Sequence, residues 1–421
     1  MEAAPSMTDP GSNLGAEFGS RREVRRRELP STMLVTRDYF PPQVGGISTM
    51  MERLVVYADW PRLHCLIGEK GPTSIQTANG ATARVHRSNA AFRLPHPMDS
   101  LYMAGLLASI RIRHGTRALI LSTNGEGHVG ALARRFLGLP YVMFAHGNEI
   151  LALRDSKWLP GLQAVQTADA ILANSRYTAS LLHGIGVSPS RVLVIHPGCD
   201  ADRFSPDARR DDTRERLMKC SQDAFVVLTV GNLVERKGHD MVLQAIAALK
   251  DKIPELVYVI SGAGPYDVVL EKSAAELGIT DRVRFLGRIA TDDLPALYAA
   301  SDVFAMPSRL REEARDVEGF GIVFVEASAC GIPVIGGRSG GIEDAIVHDE
   351  TGMLVEPGDQ SALVAAIEAL WRNPALRASF GAAGRQRVVS ELTWKHFAAH
   401  VGAAVSDVVE RSTPRVALRS S

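Results

Sequence analysis

The sequence predicts an α/β protein built as two doubly wound, Rossmann-like halves facing each other across a cleft. Three observations predict it. Short, nearly continuous apolar runs alternate with helical stretches along most of the 421 residues, the pattern of a parallel sheet covered on both faces. A polar, Arg- and Asp-rich stretch carrying Pro206, residues 201–222, separates two sets of such units. The length allows two or three domains at roughly 100–200 residues each.

Residues 1–30 hold Gly, Ser, Pro and Ala in no period, then the basic cluster Arg21, Arg22, Arg25, Arg26 and Arg27. They read as a disordered tail, or as a basic arm for anionic lipid. The first half, 31–200, starts with the strand Met33–Thr36, a loop with Pro41, Pro42 and Gly45-Gly46, and a helix over Ile47–Tyr57. Strands over Ala118–Ser122, Tyr141–Ala145, Ala170–Ala173 and Val192–Ile195 follow, with helices over Val129–Leu137 and Tyr177–Gly184 between them. After the linker at 201–222, the second half, 223–390, carries strands over Val226–Val230, Val257–Ile260, Val283–Phe285, Val303–Ala305 and Val334–Ile335. Its helices fall over Met241–Leu249, Leu294–Ala300, Ile322–Ala329, Ser361–Trp371 and Pro374–Val388. A last amphipathic helix within 391–411 is placed to cross back to the first half. Ligands of such sheets bind at the carboxyl ends of the strands.

Composition excludes several classes. Lys+Arg and Asp+Glu are both 47, so the basic excess of a dedicated nucleic-acid binder is missing. The four cysteines form no C-x-x-C pair, which argues against a disulfide framework or zinc ribbon and for a reducing cytoplasm. No His/Cys cluster has zinc spacing. No apolar run approaches the ~18 residues of a membrane span, and no secretory signal is expected.

The most informative stretch is Asp316 to Ala327. Glu318 and Glu326 bracket Gly319-Phe320-Gly321 and the apolar run starting Ile322-Val323. The glycines let backbone approach a ligand, and the helix start offers free N–H groups to a phosphate. A carboxylate accepts hydrogen bonds from a sugar or ribose diol. The plain alternative is a helix N-terminus with a dipole-favourable glutamate. Next, Gly231-Asn232-Leu233-Val234-Glu235-Arg236-Lys237-Gly238 follows a strand. Its adjacent cations suit a diphosphate, or are an ordinary solvated pair. Ser261-Gly262-Ala263-Gly264-Pro265 holds two glycines of a dinucleotide fingerprint, with Asp267 at the third position, a weak sign of NAD. His146-Gly147 ends a strand of the first half, where an imidazole contacts a sugar hydroxyl or plays a structural part. Asp200-Ala201-Asp202 reads as a surface turn rather than a metal pair.

Taken in order, these pieces resemble glycosyltransferase family 4, the retaining enzymes of GT-B architecture. The resemblance rests on Phe40-Pro41-Pro42, Gly45-Gly46-Ile47, Ala145-His146-Gly147, His196-Pro197-Gly198-Cys199-Asp200, Arg236-Lys237-Gly238, Glu318/Glu326, Ser339-Gly340-Gly341 and Thr351–Val355, within about residues 31–410. It implies that Gly45 and Gly46 close on a donor diphosphate and that Lys237, with an arginine, neutralises it. By the same resemblance Glu318, with the amides of Gly319, Phe320, Gly321, Ile322 and Val323, holds the donor sugar and β-phosphate. Glu326 then binds ribose, His146 contacts the sugar, and Asn232 and Gly262 lie along the donor. Many members carry an arginine where this chain has Asn232, so Arg236 is expected to substitute. After Ser339-Gly340-Gly341 the family usually reads Pro-Glu, whereas this chain has Glu343-Asp344.

Within the family the chain is similar to bacterial phosphatidylinositol-mannoside mannosyltransferases. The resemblance implies a GDP-mannose donor, a lipid-linked or glycan hydroxyl acceptor, no cofactor, no metal and no nucleic acid. It also implies a place in the cytoplasm, peripheral on the inner face of the membrane. A helix over 99–117, with Leu101, Leu107 and Ile110 apolar and Arg111, Arg113, His114 and Arg117 at its end, is expected to meet anionic lipid. Two rivals stand beside this reading: a sugar or sugar-phosphate synthase of the same fold using a UDP- or ADP-sugar, and a non-catalytic GT-B binding module.

Overall fold

The structure, a computed structural model, describes residues 29–413 except 38–44, 61, 69–71, 73, 89–96, 155–158 and 312. Phe40-Pro41-Pro42 and the tail through residue 28 lie outside the described residues. Fourteen strands follow in chain order: β1 (Thr32–Thr36), β2 (Leu63–Ile67), β3 (Ser74–Gln76), β4 (Thr82–Arg87), β5 (Ala118–Leu121), β6 (Tyr141–Ala145), β7 (Ala170–Ala173), β8 (Val192–Val194), β9 (Phe225–Val230), β10 (Leu256–Ser261), β11 (Val283–Phe285), β12 (Val303–Met306), β13 (Val334–Gly337) and β14 (Gly352–Val355). They form two sheets, ordered β3-β4-β2-β1-β5-β6-β7-β8 and β11-β10-β9-β12-β13-β14. Every pairing is parallel except β3 with β4.

The apolar runs become buried strands because helices cover both faces. In the first sheet, Leu34, Cys65 and Phe144 face one core and Met33, Leu66 and Met143 face the other, the two-residue alternation of a strand. The second sheet divides likewise, with Val226 and Leu228 on one side and Phe225 and Val227 on the other. Sequence periodicity misses β2, β3, β4 and β14. His64 interrupts the buried run Leu63-His64-Cys65-Leu66-Ile67 of β2, and β4 carries polar residues at inward and outward positions alike, as in Thr82-Ala83-Arg84-Val85-His86-Arg87.

The last helix, Trp394–Ser412, returns to the first sheet. Trp394, Phe397, Val401 and Val405 are buried in the core that also holds Phe144 and Leu54, and Phe397 stacks on Phe144 at 5.9 Å. Burying a side chain of that size contributes roughly 1.5–3 kcal/mol. Residues 201–222 are not a loose linker. Phe204 and Met218 are buried in the second core, and Arg214 bonds the carbonyls of Ala300 and Ala224 and the carboxylate of Asp302.

The basic helix spans Pro97–His114, so Arg117 lies beyond it and donates to Thr413. Two of its three expected lipid-facing residues point the other way. Leu107 and Ile110 are buried beside Met103 against Met33 and Leu66. Leu101 is 74% exposed and Ile112 83% exposed. Among the described residues, no helix is long and apolar enough to cross a membrane.

Candidate active site

The carboxyl ends of the two sheets meet. From the first sheet come the loops after β6, β7 and β8; from the second come residues 316–321 and 339–344. Asn148 donates to Asp316 at 3.1 Å and accepts from the Val317 amide at 2.9 Å. His196 stacks on Phe320 with ring centroids 5.3 Å apart. Asp344, 3% exposed, accepts from the backbone N–H of Arg176 at 2.5 Å and from its guanidinium. A glycine is required at 319: a Cβ there would lie 2.1 Å from the His146 carbonyl oxygen. Asp344 falls in the departure from the family pattern, and it serves as a latch between the halves.

Below this seam sits a knot of charge. Arg236 and Lys237 occupy the 3-10 turn Glu235–Lys237 that follows β9. The Arg236 guanidinium donates to Glu318 at 2.6 Å and pairs with Asp316 at 2.8 Å. The Lys237 ammonium lies 3.2 Å from the same Glu318 oxygen. Glu318 is largely enclosed, its side chain 14% exposed. Burial alone would raise its pKa, but Lys237 and Arg236 outweigh that and hold it at about 2. The carboxylate is therefore the counter-ion of two cations. Asn232 is exposed on the same loop, so the positive charge here comes from Arg236 and Lys237. Two residues further on, His239 is fully buried with neither ring nitrogen partnered. Burial and then the Lys237 charge push its pKa down to about 3, so it adds no charge.

The helix Ile322–Ala329 begins beside this knot. The first amides of a helix lack intrahelical acceptors and attract anions. Opposite stands the helix Gly46–Tyr57, and a Cβ on Gly46 would lie 3.9 Å from Ile322 Cδ1. Gly46 thus faces Ile322 across the cleft, while a Cβ on Gly45 would meet nothing within 4 Å. The Phe320 ring is buried in the second core and stacked on His196, which leaves its backbone, the group expected to meet a donor, for a ligand. Gly262 follows β10, and a Cβ there would lie 1.8 Å from the Gly231 carbonyl oxygen. That glycine is demanded by crossing backbones, and Asp267 begins the helix Asp267–Glu276.

Glu326 lies one turn into the helix and accepts from Tyr298 at 2.9 Å. Burial raises its pKa to about 7, against the lowering effect of that hydrogen bond and of Arg203 and Arg53. His146 is buried at the end of β6, with Nε2 2.8 Å from the Ser122 carbonyl. A carbonyl only accepts, so Nε2 carries the hydrogen and Nδ1 is the remaining acceptor. Asp200 accepts from Tyr57 and from the Arg203 amide, as a turn carboxylate does. Asn148, Asp316, Tyr298 and Asp344 escaped sequence reasoning. Asp316 opens the stretch singled out above and Asn148 directly follows Ala145-His146-Gly147, but nothing local marks them as partners.

Comparison with known proteins places the chain. The model of Glycosyltransferase Family 4 matches residues 45–203, and that of Glycosyl transferases group 1 matches residues 213–387. The GDP-mannose-dependent alpha-(1-6)-phosphatidylinositol monomannoside mannosyltransferase of Mycolicibacterium smegmatis is 35% identical over 86% of this chain and 95% of its own. The monoacylated-substrate counterpart from Corynebacterium glutamicum is 30% identical over 86% and 94%. A D-inositol 3-phosphate glycosyltransferase of Salinispora tropica is 35% identical over 64% and 59%. Among solved structures, sucrose-phosphate synthase from Thermosynechococcus elongatus superposes with a TM-score of 0.73 at 22% identity, over 91% of this chain and all of that one. The lipopolysaccharide glycosyltransferase WaaG gives 0.64 at 16%, over 89% and 99%. With full-length relatives at 30–35% identity and a glycosyltransferase model on each half, the chain belongs to glycosyltransferase family 4 and is a GT-B enzyme that transfers a sugar from a nucleotide donor.

Proposed function

We propose that the enzyme transfers mannose from GDP-mannose, with retention at the reacting carbon, to a hydroxyl of a phosphatidylinositol-mannoside lipid. The observation that carries the donor half is the Arg236–Glu318–Lys237 cluster beside the helix start at Ile322. The arriving diphosphate takes over the two cations that Glu318 holds, Arg236 being shared with Asp316, and the amides of Ile322 and Val323 add hydrogen bonds. As the sugar–phosphate bond breaks, charge grows on the β-phosphate, and preorganised donors there lower the barrier. Glu318, released from its ion pairs, accepts from sugar hydroxyls with Gly319 and Gly321 giving close backbone approach. Glu326 binds the ribose diol, His146 Nδ1 accepts from a sugar hydroxyl, and Gly45-Gly46 covers the diphosphate. The identity of the donor base, the mannose and the lipid rests on the names of the relatives at 30–35% identity.

The proposed membrane contact uses the outer face of the helix Pro97–His114. Leu101, Tyr102 and Ile112 are exposed there beside Arg111 and Arg113. Arg111 bonds the Leu137 carbonyl, which brings the exposed Phe136 alongside. Apolar insertion with neighbouring cations suits the inner, anionic face of a cytoplasmic membrane.

A second reading has one observation behind it: the D-inositol 3-phosphate glycosyltransferase relatives, which point to a small phosphorylated acceptor. One experiment decides. Radiolabelled GDP-mannose, UDP-glucose and ADP-glucose are each offered with phosphatidylinositol-mannoside vesicles or with inositol 3-phosphate. Label moving from GDP-mannose into the lipid supports the proposal; label in inositol phosphate from a UDP-sugar overturns it.

A further inference from the structure

Away from the cleft, three histidines from three separate elements come together at the outer part of the first sheet. His64 lies on β2, His86 on β4, and His114 is the last residue of the helix Pro97–His114. Register puts the two strand residues on one face. β2 pairs with β4 so that His64 is opposite Arg84 and Leu66 opposite His86, and β1 sets Met33 opposite His64. Met33 and Leu66 pack against Met103, Leu107 and Ile110 of that helix. Side chains alternate along a strand, so His64 and His86 share the face that the helix covers. The helix end delivers the third ring, and Ser31 fixes that end by donating to the His114 carbonyl at 2.9 Å.

Ring centroids of His64 and His114 are 4.5 Å apart, of His86 and His114 5.3 Å, and of His64 and His86 6.0 Å. One ring nitrogen of each lies within 4.8 Å of the others. Bonds of about 2.0 Å to a tetrahedral zinc ion set ligand nitrogens about 3.3 Å apart. Small side-chain rotations close that difference. His64 Nδ1 and His86 Nε2 are buried without a hydrogen-bond partner, a condition native proteins seldom leave unmet.

We propose that His64, His86 and His114 bind a divalent d-block cation, zinc by preference, which pins β2 and β4 to the end of the helix Pro97–His114. Imidazole nitrogens suit zinc, copper and nickel rather than magnesium or calcium. The ligand form is the neutral ring. Burial lowers the pKa of all three, and for His64 the neighbours His114, His86 and Arg84 bring it to about 4. The cations facing the cluster are Arg84 and Arg113. Arg84 is 3.4 Å from His114 Nδ1 and exposed, so it turns to solvent as the ion enters. A water fills the fourth position.

The untagged full chain, stripped with a chelator, is titrated with Co2+ and then with Zn2+ in competition. The expected result is one equivalent of Co2+ with the visible bands of a four-coordinate site, displaced by Zn2+, and a thermal midpoint raised by Zn2+. His114→Gln and His86→Gln should each weaken Zn2+ by more than about 100-fold, beyond the loss of an outer-shell partner, and abolish the thermal shift. Melting in chelator tests whether each variant is folded; His114, nearer the surface, decides the matter if His86→Gln is not. No stoichiometric binding by the wild type, or binding that survives His114→Gln (for instance at His396 and His400), overturns the proposal.

Discussion

Glu318 and Glu326 stand on one continuous stretch with seven residues between them, yet they hold protons with opposite strength. Glu318 sits in the loop among cations and stays ionised down to about pH 2; Glu326 sits in the helix with a phenol and titrates near pH 7. Burial pushes both upward. The difference is the partners. Arg236 and Lys237 arrive beside Glu318 from the turn after β9, whereas Tyr298 offers Glu326 a single neutral donor. A motif of two like residues therefore contains two unlike chemical tools, a permanent anion balanced by cations and a carboxyl poised to change charge.

The largest effect should come from unbalancing the first. Lys237→Ala is expected to slow sugar transfer by roughly 10²–10³-fold, the range for loss of a charge-stabilising donor. Arg236→Ala should follow it, since Asn232 supplies no charge here. Near-normal turnover in either variant, measured with saturating donor, would break the assignment of a diphosphate clamp.

Binding sharpens the contrast. Glu326→Ala should weaken free GDP and GDP-mannose alike, by about 10-fold for loss of a charged hydrogen bond to ribose. Glu318→Ala removes the carboxylate that Lys237 and Arg236 share and leaves Arg236 paired with Asp316 alone, so free GDP should bind as well as before or better, while the gain from the attached sugar disappears. Calorimetric titration of both ligands reads this directly. Equal losses for both ligands in both variants would erase the division of labour.

The two carboxyls should also tilt stability in opposite directions with pH. Glu318, depressed from an ordinary 4.5 to about 2, contributes stability above pH 4.5 that is lost as pH falls through 2. Glu326, raised to about 7, contributes stability below pH 4.5 that is lost as pH rises from there through 7. Denaturant melts across pH 3–8 should show Glu318→Gln flattening the acid limb and Glu326→Gln the neutral limb. GDP affinity should fall as pH drops through about 7 in the wild type, because a protonated carboxyl loses an acceptor. It should stay flat in Glu326→Gln.

The smallest change tests the cause. Tyr298→Phe removes only the hydroxyl that donates to Glu326. The carboxyl should then titrate still higher, and GDP affinity near neutral pH should fall about 5-fold, the worth of one hydrogen bond. A wild-type pH profile in this variant would show that Tyr298 does not set the proton affinity of Glu326.

Much of this molecule can be read from local pattern. Apolar runs locate Tyr141–Ala145 and Ala170–Ala173 to the residue, because a buried parallel strand has no polar face to confuse the reading. Gly-Phe-Gly before Ile322 marks a helix start, and Arg236-Lys237 after β9 marks a strand's carboxyl end. Local pattern fails where the deciding partner is distant. β2 and β4 carry histidine and arginine because a helix end meets them from another part of the chain. The helix Pro97–His114 shows apolar and basic residues alike to a reader of sequence, but only its packing on β1 tells that Leu107 and Ile110 are core and Ile112 is surface. Asp344 looks like a departure from a motif until Arg176 reaches it from the other half. Secondary structure follows from the period of a few neighbouring residues. Proton affinity, ion pairing and exposure are sums over whatever surrounds a group in space, and only the tertiary fold settles which groups those are.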